Sequence, residues 1–222
     1  LLVADGWHVT GTTRSPERAE TLRAQGVEPA IVDVFDAPAL RDAAVAARPD
    51  VVIHQLTDLP YGLEASKMEA HASLNRRIRD EGTRNLVAAA LAAGAKRLIA
   101  QSICFIYAPG PMPFDEDAPL NIHAEGRPGA SARGAVALEE QVLGAPLLGI
   151  VLRYGRFYGP GTGVDVRPTN GGPLHVHAAA DAARRAATRG ERGTYNIAEP
   201  DGYVSIDKAI AAFGWDASFR LS

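Results

Sequence analysis

The sequence predicts an α/β protein built on a parallel, doubly wound sheet. Two observations lead there. Short apolar runs alternate with longer amphipathic stretches along the chain, and the run from Val51 to Leu56 is continuously apolar enough for a strand buried on both faces. Successive strands are joined by segments of helical length, which in one sheet means right-handed crossovers between parallel strands. Ligands in such sheets bind beyond the carboxyl ends of the strands, so residues just after each strand carry the functional information.

The elements follow in order. His8 to Thr13 reads as a strand, and Ser15-Pro16-Glu17 opens a helix with proline in its first turn. A second strand is expected near Ala30 to Val34, then a helix from about Pro38 to Ala47, then the strand at Val51 to Leu56. A long helix is predicted from Ser66 to Ala93. Leu74, Ile78, Gly82, Leu86 and Ala90 recur every four residues along it, forming one stripe, with Gly82 packed closely against the sheet. Gly94 ends that helix and Arg97 to Ser102 begins the next strand. Tyr107 to Gly129 reads as loop, Ser131 to Leu143 as helix and Gly149 to Tyr154 as strand. A glycine- and proline-dense loop spans Gly159 to Pro173, and His175 and His177 alternate as in a strand. A helix at Ala178 to Arg189, a strand at Thr194 to Ala198 and a helix at Ser205 to Phe213 complete the chain.

The 222 residues are 46% hydrophobic and 22% charged, with a formal net charge of -3, which suits one large globular domain and gives no electrostatic reason for a nucleic-acid partner. The basic groups Arg76 to Arg79 and Arg184-Arg185 read as solvated helix faces. Cys104 is the single cysteine, so no intrachain disulfide forms, and its apolar neighbours imply a buried, inert thiol. No apolar run approaches the roughly 20 residues of a membrane helix. A cytoplasmic protein without a membrane partner is expected. His175 and His177 lack further ligands nearby, so no metal site is expected.

Several strand-end segments resemble the extended short-chain dehydrogenase/reductase family, which contains the NAD-dependent epimerases and dehydratases. Thr12-Thr13-Arg14-Ser15 looks like the end of the family's second strand and Asp33-Val34 like the pair after its third. Glu81 to Leu86 with Ala89, Ala90 and Gly94 resembles its long helix, and Lys96 to Ser102 leading to Tyr107 its active-site strand. Leu152-Arg153-Tyr154-Gly155 followed by Tyr158-Gly159-Pro160-Gly161 is the most specific match; Tyr195-Asn196-Ile197 and Phe213-Gly214-Trp215 resemble C-terminal segments. The resemblance implies one Rossmann-type domain over 1–222 with a small interleaved substrate-side subdomain, formed by about 104–130, 159–177 and 199–222. Leu1 to Gly6 resembles only the end of the family's first helix, so the first strand and glycine-rich phosphate turn lie outside this sequence, and a longer native protein is expected.

The resemblance implies a cofactor-binding set of Thr13, Arg14, Ser15, Asp33, Val34, Leu56, Thr57, Ser102, Tyr154, Gly155 and Phe157. Family members preferring NAD place a carboxylate after the second strand. Here Arg14 stands there, and a guanidinium pairs with a 2′-phosphate, so NADP is favoured over NAD. The plainer alternatives are that Arg14 is solvated and Ser15 only caps the helix. Asp33 reads as the adenine acceptor or, alternatively, as a turn residue.

The family's catalytic tyrosine and lysine are missing. Aligned on Glu139, Ser131 holds the tyrosine position and Ala135 that of the lysine four residues on; the lysines are Lys67, Lys96 and Lys208, and no Tyr-x-x-x-Lys occurs anywhere. Arg79 stands where the family commonly has asparagine, and Ile103 falls near the active-site serine with Ser102 one residue earlier. Ser102 and Ser131 are the remaining catalytic candidates, and serine alone is a poor base near neutral pH. Tyr107, Tyr154 and Tyr158 are placed at the rim. Two functions stay open: an NAD(P)-dependent oxidoreductase or epimerase/dehydratase-like enzyme with an atypical site, acting on a small polar, sugar-like substrate, and a dinucleotide-binding sensor that does not turn over. Family analogy adds a homodimer.

Overall fold

The computed structural model describes residues 1–221, with the side chains of Leu63 and Ala65 left out of the description. Its centre is a four-stranded parallel sheet in the order β3 (Val51–His54), β4 (Arg97–Ile103), β5 (Leu148–Tyr154) and β8 (Gly193–Ile197). The expected α/β, parallel, Rossmann-type architecture is what forms. Alternation along the strands divides the core. Leu98, Ala100 and Val151 face α4 (Thr83–Ala92) and α5 (Gly126–Gly144). Ile99, Ile150 and Leu152 face the opposite way, toward α6 (Val176–Ala186) and α7 (Asp207–Phe213).

A separate parallel pair joins β1 (Thr10–Thr13) to β2 (Glu28–Ile31), with α1 (Pro16–Ala24) against it and α2 (Ala37–Ala47) packed on α4. Among the described residues β1 pairs only with β2 and β3 only with β4, so no ladder crosses between the two sheets. Ser15 caps α1 by accepting from the Arg18 amide, and Pro16 occupies the first helical position, as the sequence predicts. Residues 1–6 dock beside α6, where Arg184 reaches Asp5 at 3.2 Å.

The long helix differs from the expectation. A regular helix, α3 (Met68–Arg77), runs into a π turn at Ile78–Gly82 and then into α4. Gly82 lies within that turn, and its closest packing is against Val34 after β2 rather than against the sheet; a Cβ there would stand 3.4 Å from the valine. The following helix also starts earlier than Ser131. Proline at 128 is tolerated because first-turn amides have no intrahelical partner, and any side chain at Gly129 would meet the Ala124 carbonyl at 1.8 Å.

Two short strands went unread: β6 (Arg156–Tyr158) and β7 (Pro173–His175), which pair in parallel. Glycines mask them in the sequence because the backbones approach too closely for side chains. A Cβ at Gly155 would lie 1.9 Å from the Gly172 carbonyl oxygen. His175 and His177 do not share a strand: His175 ends β7 and caps α6, accepting from the amide of His177. Cys104 is buried, and burial pushes its thiol up to about 12.

Candidate functional site

The strand ends of β1 and β2 come together on one side. Arg14 projects into solvent with its guanidinium 4.0 Å from Asp33, and Thr13 Oγ1 accepts from the Ser15 amide at 3.2 Å. Asp33 also accepts from the amide of Phe35, so it is a turn-forming residue as well as an exposed carboxylate. Val34 is buried, and its carbonyl accepts from Asn85 on α4 at 2.9 Å.

The end of β3 is held by the same long helix. His54 is buried; its Nδ1 accepts from the Leu56 amide, which leaves the proton on Nε2 to be donated to Thr83 Oγ1 at 2.9 Å. Burial and the nearby Arg79 push its pKa down to about 4, so the imidazole is neutral near pH 7. Thr57 and the amide of Asp58 both donate to Asn75 on α3. Arg79, expected on a solvated face, instead turns inward from the π turn. It is partly buried, and its Nη1 donates to the Ser131 carbonyl at 3.2 Å. Its side chain covers Gly134, where a Cβ would sit 3.5 Å away. Desolvation lowers its pKa, opposed only by the more distant Glu139.

Behind this face lies a buried ion pair. Arg153 on β5 and Glu139 on α5 form two hydrogen bonds, at 2.7 and 3.0 Å, with side chains only 5% and 6% exposed. Ser102 donates to the same carboxylate at 2.6 Å. Arg153 also donates to Tyr107 Oη, which donates in turn to Asn196 Oδ1 at 2.7 Å. Burial raises the Tyr107 hydroxyl to about 12. Ser102 and Tyr107 are therefore committed inside the fold rather than presented at an opening.

The other tyrosines are committed too. Tyr154 is buried and donates to the Ala179 carbonyl at 3.2 Å, and burial raises its pKa. Its ring packs on partly buried Phe157. Tyr158 donates to Glu199 at 2.8 Å. None of the three stands free at the rim, because each hydroxyl has a protein acceptor. Glu199 also joins Arg167 and Arg220, each at 2.7 Å, beside a groove of about 540 Å³ that Trp215 and Ile210 help to line.

Sequence reasoning named the β1 and β2 ends, Arg79 and Gly82, but gave Asn75 and Asn85 no part in joining them. Asn75, Arg79, Gly82 and Asn85 lie along a single helical rod, and each contacts a different part of the site. The available signal was Asn75, Arg79 and Asn85, each next in sequence to a residue of the apolar stripe.

Parallel strand ends held together by one long helix are the arrangement in which α/β proteins bind ligands. A family model described as NAD(P)H-binding matches residues 1–140, and the chain belongs to that family. It is similar to a 3-diazoavenalumate denitrifying reductase from a Streptomyces species, 47% identical over 165 residues, covering 73% of this chain and 52% of the relative. The chain thus spans about half the length of that relative. Among solved structures it resembles the UDP-glucose 4-epimerase of Thermotoga maritima with UDP-glucose, at a TM-score of 0.74 and 16% identity, covering 99% of this chain and 88% of that one. A short-chain dehydrogenase/reductase superfamily protein from Agrobacterium tumefaciens with bound NAD aligns at a TM-score of 0.73 and 18% identity, again over 99% and 88%. Among the described residues no helix is long and apolar enough to cross a membrane.

Proposed function

We propose that this chain is the nicotinamide-binding part of an NADP(H)-preferring reductase. Its substrate is proposed to be an aryl diazo compound, which accepts hydride without a tyrosine proton relay. The observation carrying this reading is the conjunction of 47% identity to a denitrifying reductase with serine and alanine at the tyrosine and lysine positions. A bound reduced nicotinamide supplies hydride. An arenediazonium that gains one hydride gives the arene and dinitrogen, with charge balanced and no proton required from the protein. Epimerisation of a sugar, the substrate class that family resemblance alone implies, needs a base to deprotonate a hydroxyl. Neither Ser131 nor the committed Ser102 supplies one.

The residues present fit a dinucleotide at its adenosine end: exposed Arg14 beside the capped start of α1 suits a 2′-phosphate, and Asp33 and Val34 suit the adenine edge. No glycine-rich turn between a strand and a helix precedes β1 in this sequence, so none of these residues is assigned to the pyrophosphate. A homodimer through α4 and α5 rests on family analogy.

The test is anaerobic turnover of an aryl diazonium carboxylate by the full-length protein with NADPH or NADH, counting nitrogen released per nicotinamide oxidised. Equimolar release above the enzyme-free rate is expected, with NADPH preferred and the preference lost in Arg14→Ala. Ser131→Ala should change the rate less than twofold. Turnover that collapses in Ser131→Ala would reveal a serine-based site. Cofactor binding without turnover would favour the second reading, a dinucleotide sensor, which the committed tyrosines support.

A further inference from the structure

The helix face that lacks the tyrosine and lysine is not without a cation. Ser131, Gly134 and Ala135 lie on one side of α5 at helical spacing. Arg79 reaches across from the π turn to cover that side, touching the Ser131 carbonyl and passing over Gly134. Two features make the approach feasible. Glycine at 134 leaves room for the arginine stem, and Arg79 projects from the π turn toward α5.

The guanidinium is underused by the protein. It has five N–H donors, and among the described residues one of them is satisfied, by the neutral Ser131 carbonyl. No carboxylate lies within ion-pair distance of it among the described residues, whereas the neighbouring Glu139 is taken by Arg153. A partly desolvated cation left in this condition costs free energy unless an acceptor arrives. Arg79 stands near His54 at the carboxyl end of β3, the side of a parallel sheet where ligands bind.

We propose that Arg79 is a ligand-binding residue that donates hydrogen bonds to the hydroxyls of the nicotinamide ribose, supplying a cation from a helix other than the one on which Ala135 stands at the lysine position. This rests on the reading of the chain as a nicotinamide-binding protein. The role is binding and orientation alone: a guanidinium stays protonated at working pH and does not exchange a proton with substrate.

Three ligands separate the parts of the cofactor: NADPH, 2′-phospho-ADP-ribose, which keeps the second ribose but lacks the pyridine, and 2′,5′-ADP, which lacks both. Binding of each to the full-length protein is measured by calorimetry for wild type, Arg79→Met and Arg79→Lys. Arg79→Met should weaken NADPH and 2′-phospho-ADP-ribose by about tenfold, in line with a charge-assisted hydrogen bond, and leave 2′,5′-ADP within twofold. Arg79→Lys should recover part of the loss, and it serves as the test variant if Arg79→Met does not fold. An equal loss for all three ligands would make Arg79 merely structural, and a loss confined to NADPH would place it on the pyridine; either overturns the proposal, as does no loss at all. Failure of the wild type to bind any of the three would sink the nicotinamide reading itself, a result distinct from all of these.

Discussion

His54 shows how much one side chain can contribute to the acid response of this protein. Its folded pKa of about 4 lies below the unfolded value of 6.5. Between those values the unfolded chain binds a proton that the native state refuses. Stability contributed by keeping this imidazole neutral is therefore complete above about pH 6.5 and is lost as pH falls toward 4. A separation of that size corresponds to at most about 3 kcal/mol. Chemical denaturation of wild type and His54→Asn across this window should show a shallower pH slope in the variant, since asparagine still donates to Thr83 but does not titrate. Equal slopes would remove His54 from the account. The Arg153–Glu139 pair is a second concentrated dependency at this scale. Removing one partner, as in Glu139→Gln, strands a buried charge, and destabilisation of about 3–5 kcal/mol is expected in thermal melts.

Elements were legible wherever a local signal set them. Ser15-Pro16 marked the start of α1, Gly94 with φ near +76° marked the helix end, and the apolar run at 51–56 marked β3. What escaped was set by distant backbone. Nothing local announces that Gly155 and Gly172 must touch, so the pairing of β6 with β7 was not foreseen. Gly155→Ala makes this testable. Its methyl would collide with the Gly172 carbonyl, and a loss of about 3 kcal/mol is expected in denaturant titration, with the β6–β7 pair displaced. A neutral result would mean that the junction yields more easily than its close contact implies. The site divided along the same line. Arg14, Ser15, Asp33 and Val34 follow their own strands and could be named from the sequence; Arg79 reads both as part of a solvated face and as standing at the family's asparagine position, and nothing local announces its contact with Ser131.

At the scale of the molecule, the sheet is two ladders. The β3–β4–β5–β8 ladder carries the buried centre, with Leu98, Ile99, Ile150, Val151 and Leu152 fully enclosed. The β1–β2 pair has short strands of partial burial and is tied to the rest through α2 on α4 and the Val34–Asn85 hydrogen bond. Regions with few buried contacts open at lower free energy than the global transition. Native-state hydrogen exchange should show β4 and β5 amides exchanging only by global unfolding and β1 and β2 amides by a smaller opening. Identical exchange free energies across both ladders would show a single cooperative unit. A cofactor spanning both ladders should raise protection in β1 and β2 most.

The π turn at Ile78–Gly82 also keeps phase along its helix. A four-residue recurrence slips by roughly 40° per step on a regular helix of 3.6 residues per turn, so the stripe from Leu74 to Ala90 would wind away from its neighbours. One surplus residue in the turn takes up about 100° of the roughly 160° that the four steps accumulate. Asn75, which steadies the segment after β3, and Asn85, which steadies the one after β2, thus face their separate duties from a single rod. A residue added or removed in the regular turns on either side, where no bulge absorbs it, would rotate everything before it by about 100° relative to everything after. The helix should then tolerate many exposed substitutions, and loss of the surplus residue itself, better than a change of count in its regular turns.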